Sequence, residues 1–332
     1  MLTVLESVPE GLTGLKATEL HTLLPGPALL HLKGKLSTPL FISVLLHGNE
    51  HTGWEVIRKL LTDHADRELP RSISIFIGNI EAARYNQRFL DHQPDYNRIW
   101  NGTDTPEHRM MQQVCDEMRQ RRVFLSIDIH NNTGKNPHYA CVNKTYNQFL
   151  QVATLFSQIV VYFIRPKGVQ TMAFAELCPA VTVECGLSGE LDGITHAYNF
   201  LNTCLNLAEI SSHAVDHDAF DLFHTVATVK ITDRYRFGFD PGDLDFQLDR
   251  GIEDFNFREL PEGTLIGTTK NAHNPLDVRD EQGNEVSHQY FSMENGEIRS
   301  RKTVIPAMIT LDTDIIRKDC LCYLMEEYPL SG

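Results

Sequence analysis

The sequence predicts an α/β protein with a mostly parallel mixed sheet flanked by helices, followed by a smaller β-rich C-terminal domain. In the first two thirds of the chain, short apolar runs alternate with helical patterns, which is typical of parallel strands joined by helices. Near residue 213 the pattern changes to short β-rich runs divided by turns. The chain has 332 residues, enough for two domains, and we predict them at 1–212 and 213–332.

The individual elements follow from apolar runs of strand length and from helical periodicity between them. In the first domain, the predicted strands are 40–46, 73–78, 124–129, 139–142, 159–164 and 180–183. The predicted helices of that domain are 53–64, 106–121, 145–158 and 194–211. In the second domain, we predict strands at 226–232, 255–260, 264–268 and 303–311 and a helix at 314–327.

Composition excludes several classes of protein. With 42% hydrophobic and 22% charged residues, the chain is typical of a folded globular protein. Its net charge of −14 disfavours nucleic acid as a partner, although local arginines still allow a small anionic substrate. No apolar run reaches the length of a membrane span, so we predict no membrane partner. The sequence leaves a homo-oligomer open.

The cysteines and the first residues indicate a reducing compartment. Seven cysteines are odd in number and scattered, which argues against a framework of disulfides. Residues 1–10 lack the basic start and apolar core of a signal peptide. We therefore predict a cytoplasmic location.

The segment His47-Gly48-Asn49-Glu50 joins the first predicted strand to the first predicted helix. A His and a Glu three residues apart in a first helical turn lie on one side, so both can bind one metal ion. His130 follows the strand predicted at 124–129, and the carboxyl ends of parallel strands share one edge of a sheet. We predict that His47, Glu50 and His130 bind one zinc ion, with a fourth position open for water.

The alternative is a histidine that only makes hydrogen bonds in a loop, although the chain contains no second His-x-x-Glu pair. Asp128 points to the same side of its strand as His130, where it either orients that histidine or caps a neighbouring loop. His51 and His138 are weaker candidates. Helical geometry turns His51 away from the ligands, and His138 lies near the same cleft.

Glu184 follows the strand predicted at 180–183 and is the candidate general base. A carboxylate at the end of a buried strand is costly unless it is paired or takes part in chemistry. As a base, it would take a proton from zinc-bound water and pass it to the leaving nitrogen. A buried carboxylate that holds a backbone turn is the alternative. Neighbouring Cys185 is a rival nucleophile, but the sequence shows no partner that would activate it.

Three arginines, Arg84, Arg88 and Arg98, lie in the loop after the strand predicted at 73–78. Arginine binds carboxylates through two parallel hydrogen bonds, so the cluster indicates anion recognition. Asn97 adds an amide donor, and one arginine can stabilise the oxyanion of a tetrahedral intermediate. A solvated loop of salt bridges with nearby aspartates is the alternative.

Four stretches together resemble the succinylglutamate desuccinylase/aspartoacylase family, a branch of the zinc carboxypeptidase (M14-like) superfamily. They occur in the family's order: His-Gly-Asn-Glu-x-Thr-Gly at 47–53, Asn-Arg-Ile at 97–99, Asp-Ile-His-Asn-Asn-Thr at 128–133 and Val-Glu-x-Gly at 183–186. The resemblance implies a zinc carboxypeptidase-like catalytic domain. It also implies hydrolysis of the amide bond of a small N-acyl amino acid that carries a carboxylate.

The resemblance also implies a role for each site residue. It implies that His47, Glu50 and His130 bind zinc and that Glu184 is the general base. It also implies that Asn97 and Arg98 bind the substrate carboxylate and that Arg88 polarises the scissile carbonyl. Aspartoacylase has a further arginine shortly before its catalytic glutamate, whereas this chain has none between Lys167 and Glu184. Arg165 is a distant substitute, so we name neither the acyl group nor the amino acid.

Two other functions stay open at this point. The first is a metallocarboxypeptidase that trims a peptide or a peptidoglycan fragment with the same zinc, base and arginine. The second is a non-catalytic binding protein that keeps the pocket.

Overall fold

A mixed sheet forms the centre of the first of two units in the computed structural model, which describes residues 2–102 and 104–329. The first unit runs to Asn131 and also includes residues 138–162 and 166–221. The second unit comprises residues 132–137, 163–165 and the chain from Leu222 onward. Because the units interleave along the chain, the domain boundary between residues 212 and 213 stays a prediction.

Within the described part of the first unit, eight strands lie in the order β1-β2-β4-β3-β5-β8-β6-β7. Their bounds are β1 Thr3–Leu5, β2 Ala28–Leu32, β3 Gly34–Val44, β4 Leu69–Ile77, β5 Leu125–Asn132, β6 Tyr139–Val142, β7 Ile159–Tyr162 and β8 Ala180–Leu187. The pairs β1–β2, β3–β4, β3–β5 and β6–β7 are parallel, and β2–β4 and β6–β8 are antiparallel. The predicted mostly parallel mixed sheet is therefore confirmed.

Helices connect these strands. Their bounds are α1 Thr52–Asp63, α2 Ile80–Arg84, α3 Pro106–Gln120, α4 Asn147–Phe156, α5 Gln170–Phe174 and α6 Leu191–Asn206. Pro106 stands in the first turn of α3, and the Thr105 side chain accepts a hydrogen bond from the backbone N–H of His108, which caps the helix. The four predicted helices are present. The short helices α2 and α5 were not predicted, because five residues are too few to show a helical repeat of apolar side chains.

The centre of the sheet is apolar on both faces. Leu40, Phe41, Ile42 and Val44 of β3 are fully buried. A strand covered by helices on both sides needs apolar residues at successive positions rather than in alternation. This is why the continuous run at 40–46 indicated a buried strand.

The second unit is rich in short strands. Their bounds are β9 Asp221–Ile231, β10 Phe237–Gly238, β11 Phe246–Leu248, β12 Leu265–Thr269, β13 Leu276–Asp280, β14 Phe291–Glu294, β15 Glu297–Ser300, β16 Ile305–Ala307 and β17 Cys322–Glu327. Five of them form a sheet in the order β10-β11-β12-β15-β14, and β9 pairs with β13 and β17. Two short helices are α7 Ser287–Tyr290 and α8 Thr313–Lys318.

Two predictions for this unit are wrong. The strand predicted at 255–260 is absent: a 3-10 helix at Arg250–Phe255, capped by the Asp249 side chain, precedes an isolated bridge at Leu260. The helix predicted at 314–327 ends at Lys318, and residues 322–327 form β17, because this segment pairs with β9. Tertiary pairing overrides a local helical pattern here.

Two findings concern membrane-spanning helices and disulfides. None of the helices within the described ranges has the length and apolar character needed to cross a membrane. All seven cysteines are free thiols.

The start of α6 packs very closely against β8. A Cβ placed on Gly193 would lie 2.1 Å from the backbone oxygen of Cys185. In an open helix, alanine would stabilise by about 1 kcal/mol relative to glycine. We expect the contact to outweigh this, so that Gly193→Ala lowers the free energy of unfolding by about 1–3 kcal/mol.

Urea denaturation of the two proteins measures this difference. Asn202→Ala, at an exposed position of the same helix, is the control and should change stability by no more than about 0.5 kcal/mol. A Gly193→Ala protein at least as stable as the natural one would contradict the close packing.

Candidate active site

His47 and Glu50 lie in a turn between β3 and α1. The backbone N–H of Glu50 donates to the carbonyl of His47 at 3.2 Å, and α1 begins only at Thr52. The placement of the pair in the first helical turn is therefore wrong. The two side chains meet because a tight turn, rather than a helical turn, brings positions three apart to one side.

Gly48 is required by the packing of this turn. Its backbone N–H donates to the Arg88 carbonyl at 3.0 Å. A Cβ at Gly48 would lie 2.3 Å from the backbone nitrogen of Ala83. The turn is thus held between α2 and the loop that carries Arg88, and only glycine fits there.

The Glu50 carboxylate lies between two histidines. Its Oε1 is 2.6 Å from Nδ1 of His47, and its Oε2 is 2.7 Å from Nδ1 of His130. All three residues are buried, and one ligand atom from each lies within 4.8 Å of the others. In the part of the chain that the structure describes, no other His, Cys, Asp or Glu residues form a group of this kind.

The outer nitrogens of both imidazoles contact carboxylates. Nε2 of His47 is 3.0 Å from Asp95, and Nε2 of His130 is 2.8 Å from Asp128. Ser43 in turn donates a hydrogen bond to Asp128 at 2.6 Å. Histidines that bind a metal through one nitrogen usually donate the other N–H to such a group, which fixes the ring. The donor set therefore fits a divalent metal ion.

The electrostatics of these groups favour a cation at the same point. Burial disfavours a charged imidazole, but the Asp128 and Glu50 carboxylates outweigh it and raise the pKa of His130 well above its usual value. The pKa of His47 is also raised, against burial and the Arg88 charge, by Glu50 and Asp95. Burial alone would raise the pKa of Glu50, yet the two histidines hold it well below the usual range.

His130 and Glu184 lie inside their strands. The sequence placed them just past the strand ends, but β5 continues to Asn132 and β8 to Leu187. A change from apolar to polar side chains does not stop backbone pairing, so the strands extend past the apolar runs. Glu184 pairs in register with Tyr139 of β6.

Glu184 has the raised pKa expected of a buried acid. It is 8% exposed, and burial is the largest cause that raises its pKa to about 7, with Glu50 and Asp128 adding to the shift and His130 and His47 opposing it. A carboxylate with a pKa near neutrality can both accept and return a proton.

Asn97 lies beside His130, and Arg98 contacts Asn97. The Asn97 side-chain nitrogen is 3.3 Å from Nε2 of His130, and its Oδ1 accepts a hydrogen bond from the backbone N–H of Gln170 at 3.0 Å. The half-buried Arg98 donates to the carbonyl of Asn97 at 2.9 Å. The Asn97 backbone N–H donates to Asp95 at 2.8 Å.

Arg88 is buried and held by Asp95. Its Nη2 and Nε lie 3.1 and 3.3 Å from Oδ2 of Asp95, and its Nη1 is 3.9 Å from Oε1 of Glu50. Although burial opposes it, the charges of His47 and Arg88 hold the pKa of Asp95 well below its usual range. Asp95 thus joins an arginine to one of the histidines.

The remaining candidates lie elsewhere. Arg84 is exposed, with its guanidinium over the Tyr85 ring. Arg165 belongs to the second unit, where it donates to the Glu281 carbonyl at 2.6 Å. His51 contacts the Gly48 carbonyl at 3.0 Å, and His138 stacks on His196 with ring centroids 5.0 Å apart.

Sequence reasoning missed two residues of this site. Asp95 looked like part of a surface salt bridge, although its position two residues before Asn97 could have marked it. Asn131 follows His130 directly and contacts Glu50 through its backbone N–H at 3.1 Å. Such a contact cannot be predicted from residue type, because nearly every residue carries a backbone N–H.

Residues 38–208 match the sequence profile of the succinylglutamate desuccinylase/aspartoacylase catalytic domain. The chain belongs to this family. The match covers more than half of the chain and includes every residue of the site just described. Members of the family are amidohydrolases that act on small substrates, and the resemblance drawn from the four motifs is confirmed.

Solved structures of the family have the same fold. Succinylglutamate desuccinylase from Chromobacterium violaceum matches with a TM-score of 0.57 and 17% identity over 90% of this chain and 87% of that chain. Murine aminoacylase 3 matches with a TM-score of 0.56 and 14% identity over 89% of this chain and 96% of that chain. The ectoine utilization protein EutE (DoeB) from Ruegeria pomeroyi matches with a TM-score of 0.57 and 13% identity over 90% and 88%. No curated protein matches the chain significantly in sequence.

The raised pKa values predict how pH affects the stability of the metal-free protein. Folding raises the pKa of Glu184 from 4.5 to about 7. The folded state therefore binds more protons than the unfolded state between these values, and the free energy of unfolding falls as pH rises. His130 acts in the same direction, because its contribution is complete below 6.5 and is lost as pH rises through the folded value. We expect Glu184 alone to lower stability by up to about 3 kcal/mol across this range.

Denaturant unfolding in the presence of a chelator, at several pH values between about 4.5 and 8, measures the slope. Glu184→Gln removes the titrating carboxyl and keeps its size, so the variant should show a shallower decline. An equal slope in both proteins would mean that Glu184 has an ordinary pKa when folded.

Proposed function

We propose that the protein is a zinc-dependent hydrolase that cleaves the amide bond of a small N-acyl amino acid carrying a carboxylate. The observation that supports this most directly is the contact of one carboxylate, Glu50, with Nδ1 of both His47 and His130. A second carboxylate with a raised pKa, Glu184, is electrostatically coupled to the same three groups. A ligand set together with a base near neutrality is the minimum for metal-assisted amide hydrolysis.

One zinc ion per chain would be held by His47, Glu50 and His130. When bound, zinc lowers the pKa of water and polarises a carbonyl oxygen. Asp95 and Asp128 keep the rings of His47 and His130 in the orientation that presents Nδ1 to the ion.

Glu184 carries the proton. Its carboxylate takes a proton from the attacking water, and its carboxylic acid then donates that proton to the nitrogen that leaves. A pKa near 7 suits both halves of this transfer, because neither form is strongly favoured at neutral pH.

Asn97 and Arg98 would bind the substrate carboxylate. The Oδ1 of Asn97 is occupied by the backbone N–H of Gln170, so its amino group is the part that lies near His130 and can donate. The Arg98 guanidinium supplies the charge for a carboxylate. Arg88 would polarise the scissile carbonyl, while Asp95 holds its guanidinium in place through two of its five N–H donors.

The segment before Glu184 bears on the substrate class. Helix α5 lies between Lys167 and Glu184, a stretch without arginine, and its Gln170, Thr171 and Phe174 side chains are fully buried. Asn97 and Arg98 therefore form the carboxylate-binding groups of the proposal.

The free thiols at all cysteines fit the cytoplasmic location that we propose for the enzyme.

A panel of substrates tests the function. N-acetyl and N-succinyl amino acids are compared with short peptides, and the released amine is measured. We expect turnover of an N-acyl amino acid and a loss of about 100- to 10,000-fold in Glu184→Gln, which keeps its zinc. The exposed Glu209→Gln is the control and should retain full activity. Turnover of peptides alone would identify a carboxypeptidase instead, and full activity of Glu184→Gln would remove the base.

Zinc content tests the ligand set. Glu50→Ala and His130→Ala each remove one of three donors, so both should contain much less than one zinc ion per chain after dialysis. His51→Ala is a matched control, because His51 lies beside Glu50 in sequence but its side chain contacts the Gly48 carbonyl and lies outside the ligand group. Stoichiometric zinc in Glu50→Ala or His130→Ala, measured by metal analysis, would refute the assignment.

A further inference from the structure

Asn131 is a buried amide that makes hydrogen bonds to two segments around the site, one at Glu50 and Thr52 and the other at Gly186. It is 4% exposed and follows His130 in β5. Its backbone N–H donates to Oε2 of Glu50 at 3.1 Å. Its side chain accepts from the backbone N–H of Thr52 at 3.1 Å, and donates to Oγ1 of Thr52 at 2.9 Å and to the carbonyl of Gly186 at 3.0 Å.

These partners leave only one orientation and one residue type for the side chain. A backbone N–H requires an oxygen opposite it, and a backbone carbonyl requires an N–H donor. Oδ1 must therefore face Thr52, and the amino group must face Gly186. An aspartate has the same shape, but it would place an oxygen against the Gly186 carbonyl.

The two segments carry groups of the proposed reaction. Thr52 begins α1 two residues after Glu50, and Gly186 lies two residues after Glu184 in β8. Gly186 has a left-handed backbone, with φ of +71°, and a Cβ there would lie 3.1 Å from Nε2 of His138. The Asn131 side chain thus provides a partner for a carbonyl in an irregular part of the strand that bears Glu184.

We infer that Asn131 is a positioning residue that sets the distance between the Glu184 carboxylate and the metal-binding groups. The inference rests on the proposed function. Proton transfer needs donor and acceptor within about 3 Å of each other. A displacement of about 1 Å can lower the rate about 100-fold without loss of any reacting group.

The structure offers matched controls for two other hydrogen bonds near Asn131, those made by the hydroxyls of Thr52 and Ser188. Thr52→Val removes the hydroxyl that Asn131 contacts but keeps the bond to Gly186. The backbone N–H of His51 donates to the exposed Ser188 hydroxyl at 3.0 Å, a second link between this turn and the end of β8. Ser188→Ala removes that link alone.

The experiment compares Asn131→Asp and Asn131→Ala with Thr52→Val and Ser188→Ala. Each protein is analysed for zinc content, for the absorption spectrum of its cobalt(II)-substituted form, and for kcat and KM on the substrate that the natural protein hydrolyses. For both Asn131 variants we expect kcat to fall about 100-fold, with KM little changed. Zinc content and the cobalt spectrum should stay as in the natural protein. Both controls should keep kcat within a few-fold of the natural value.

Three results would overturn the inference. One is an Asn131 variant whose kcat equals that of the controls. If only Asn131→Ala behaves in this way, the loss in Asn131→Asp comes from its added charge and not from the lost positioning. Another is a cobalt spectrum that changes along with kcat, which would show that Asn131 acts through Glu50 and the ligand set. The third is an equal loss in Thr52→Val or Ser188→Ala. A natural protein that hydrolyses no member of the panel would instead refute the proposed function, whereas the three results above require an active natural protein and refute the inference alone.

Discussion

The Glu50 carboxylate is the interaction on which the site depends. Each of its oxygens lies within 2.7 Å of an imidazole nitrogen, one from the turn after β3 and one from β5. The carboxylate also accepts the backbone N–H of Asn131. A buried carboxylate is costly unless such groups surround it. Conversely, the negative charge of Glu50 favours positive charge on or beside the buried imidazoles of His47 and His130. Burial of any one of these three groups without the other two would therefore be costly.

A further set of charges holds this centre in place. Asp128 contacts His130 on the side away from Glu50, and Asp95 does the same for His47. Asp95 carries a second contact, to the buried Arg88, which balances its charge. The centre is therefore a chain of alternating charges that spans β5, the turn after β3 and the loop before α3. Because each member satisfies its neighbours, the removal of one leaves buried charge without compensation.

The sequence allowed the sheet, the main helices and the group formed by His47, Glu50 and His130 to be predicted, because apolar runs and short motifs are local signals. The element bounds were less accessible. His130 and Glu184 lie inside strands that continue past the apolar runs, since backbone pairing is indifferent to the polarity of the side chain. The segment 322–327 was predicted as helix and forms β17, because its partner β9 is distant in the chain. Asp95 and Asn131 act through contacts with residues far away in sequence, and a single sequence does not show such contacts.

The same surroundings shift the pKa values of Glu50 and Glu184 in opposite directions. Glu50 lies between both imidazoles, and these lower its pKa in spite of burial. Glu184 is equally buried, and burial together with the Glu50 charge raises its pKa to about 7, against the opposing effect of the imidazoles. A group that stays ionised is suited to hold a cation, and a group that titrates near neutrality is suited to move a proton. The difference in role thus arises from position around one pair of histidines, since the two side chains are chemically identical.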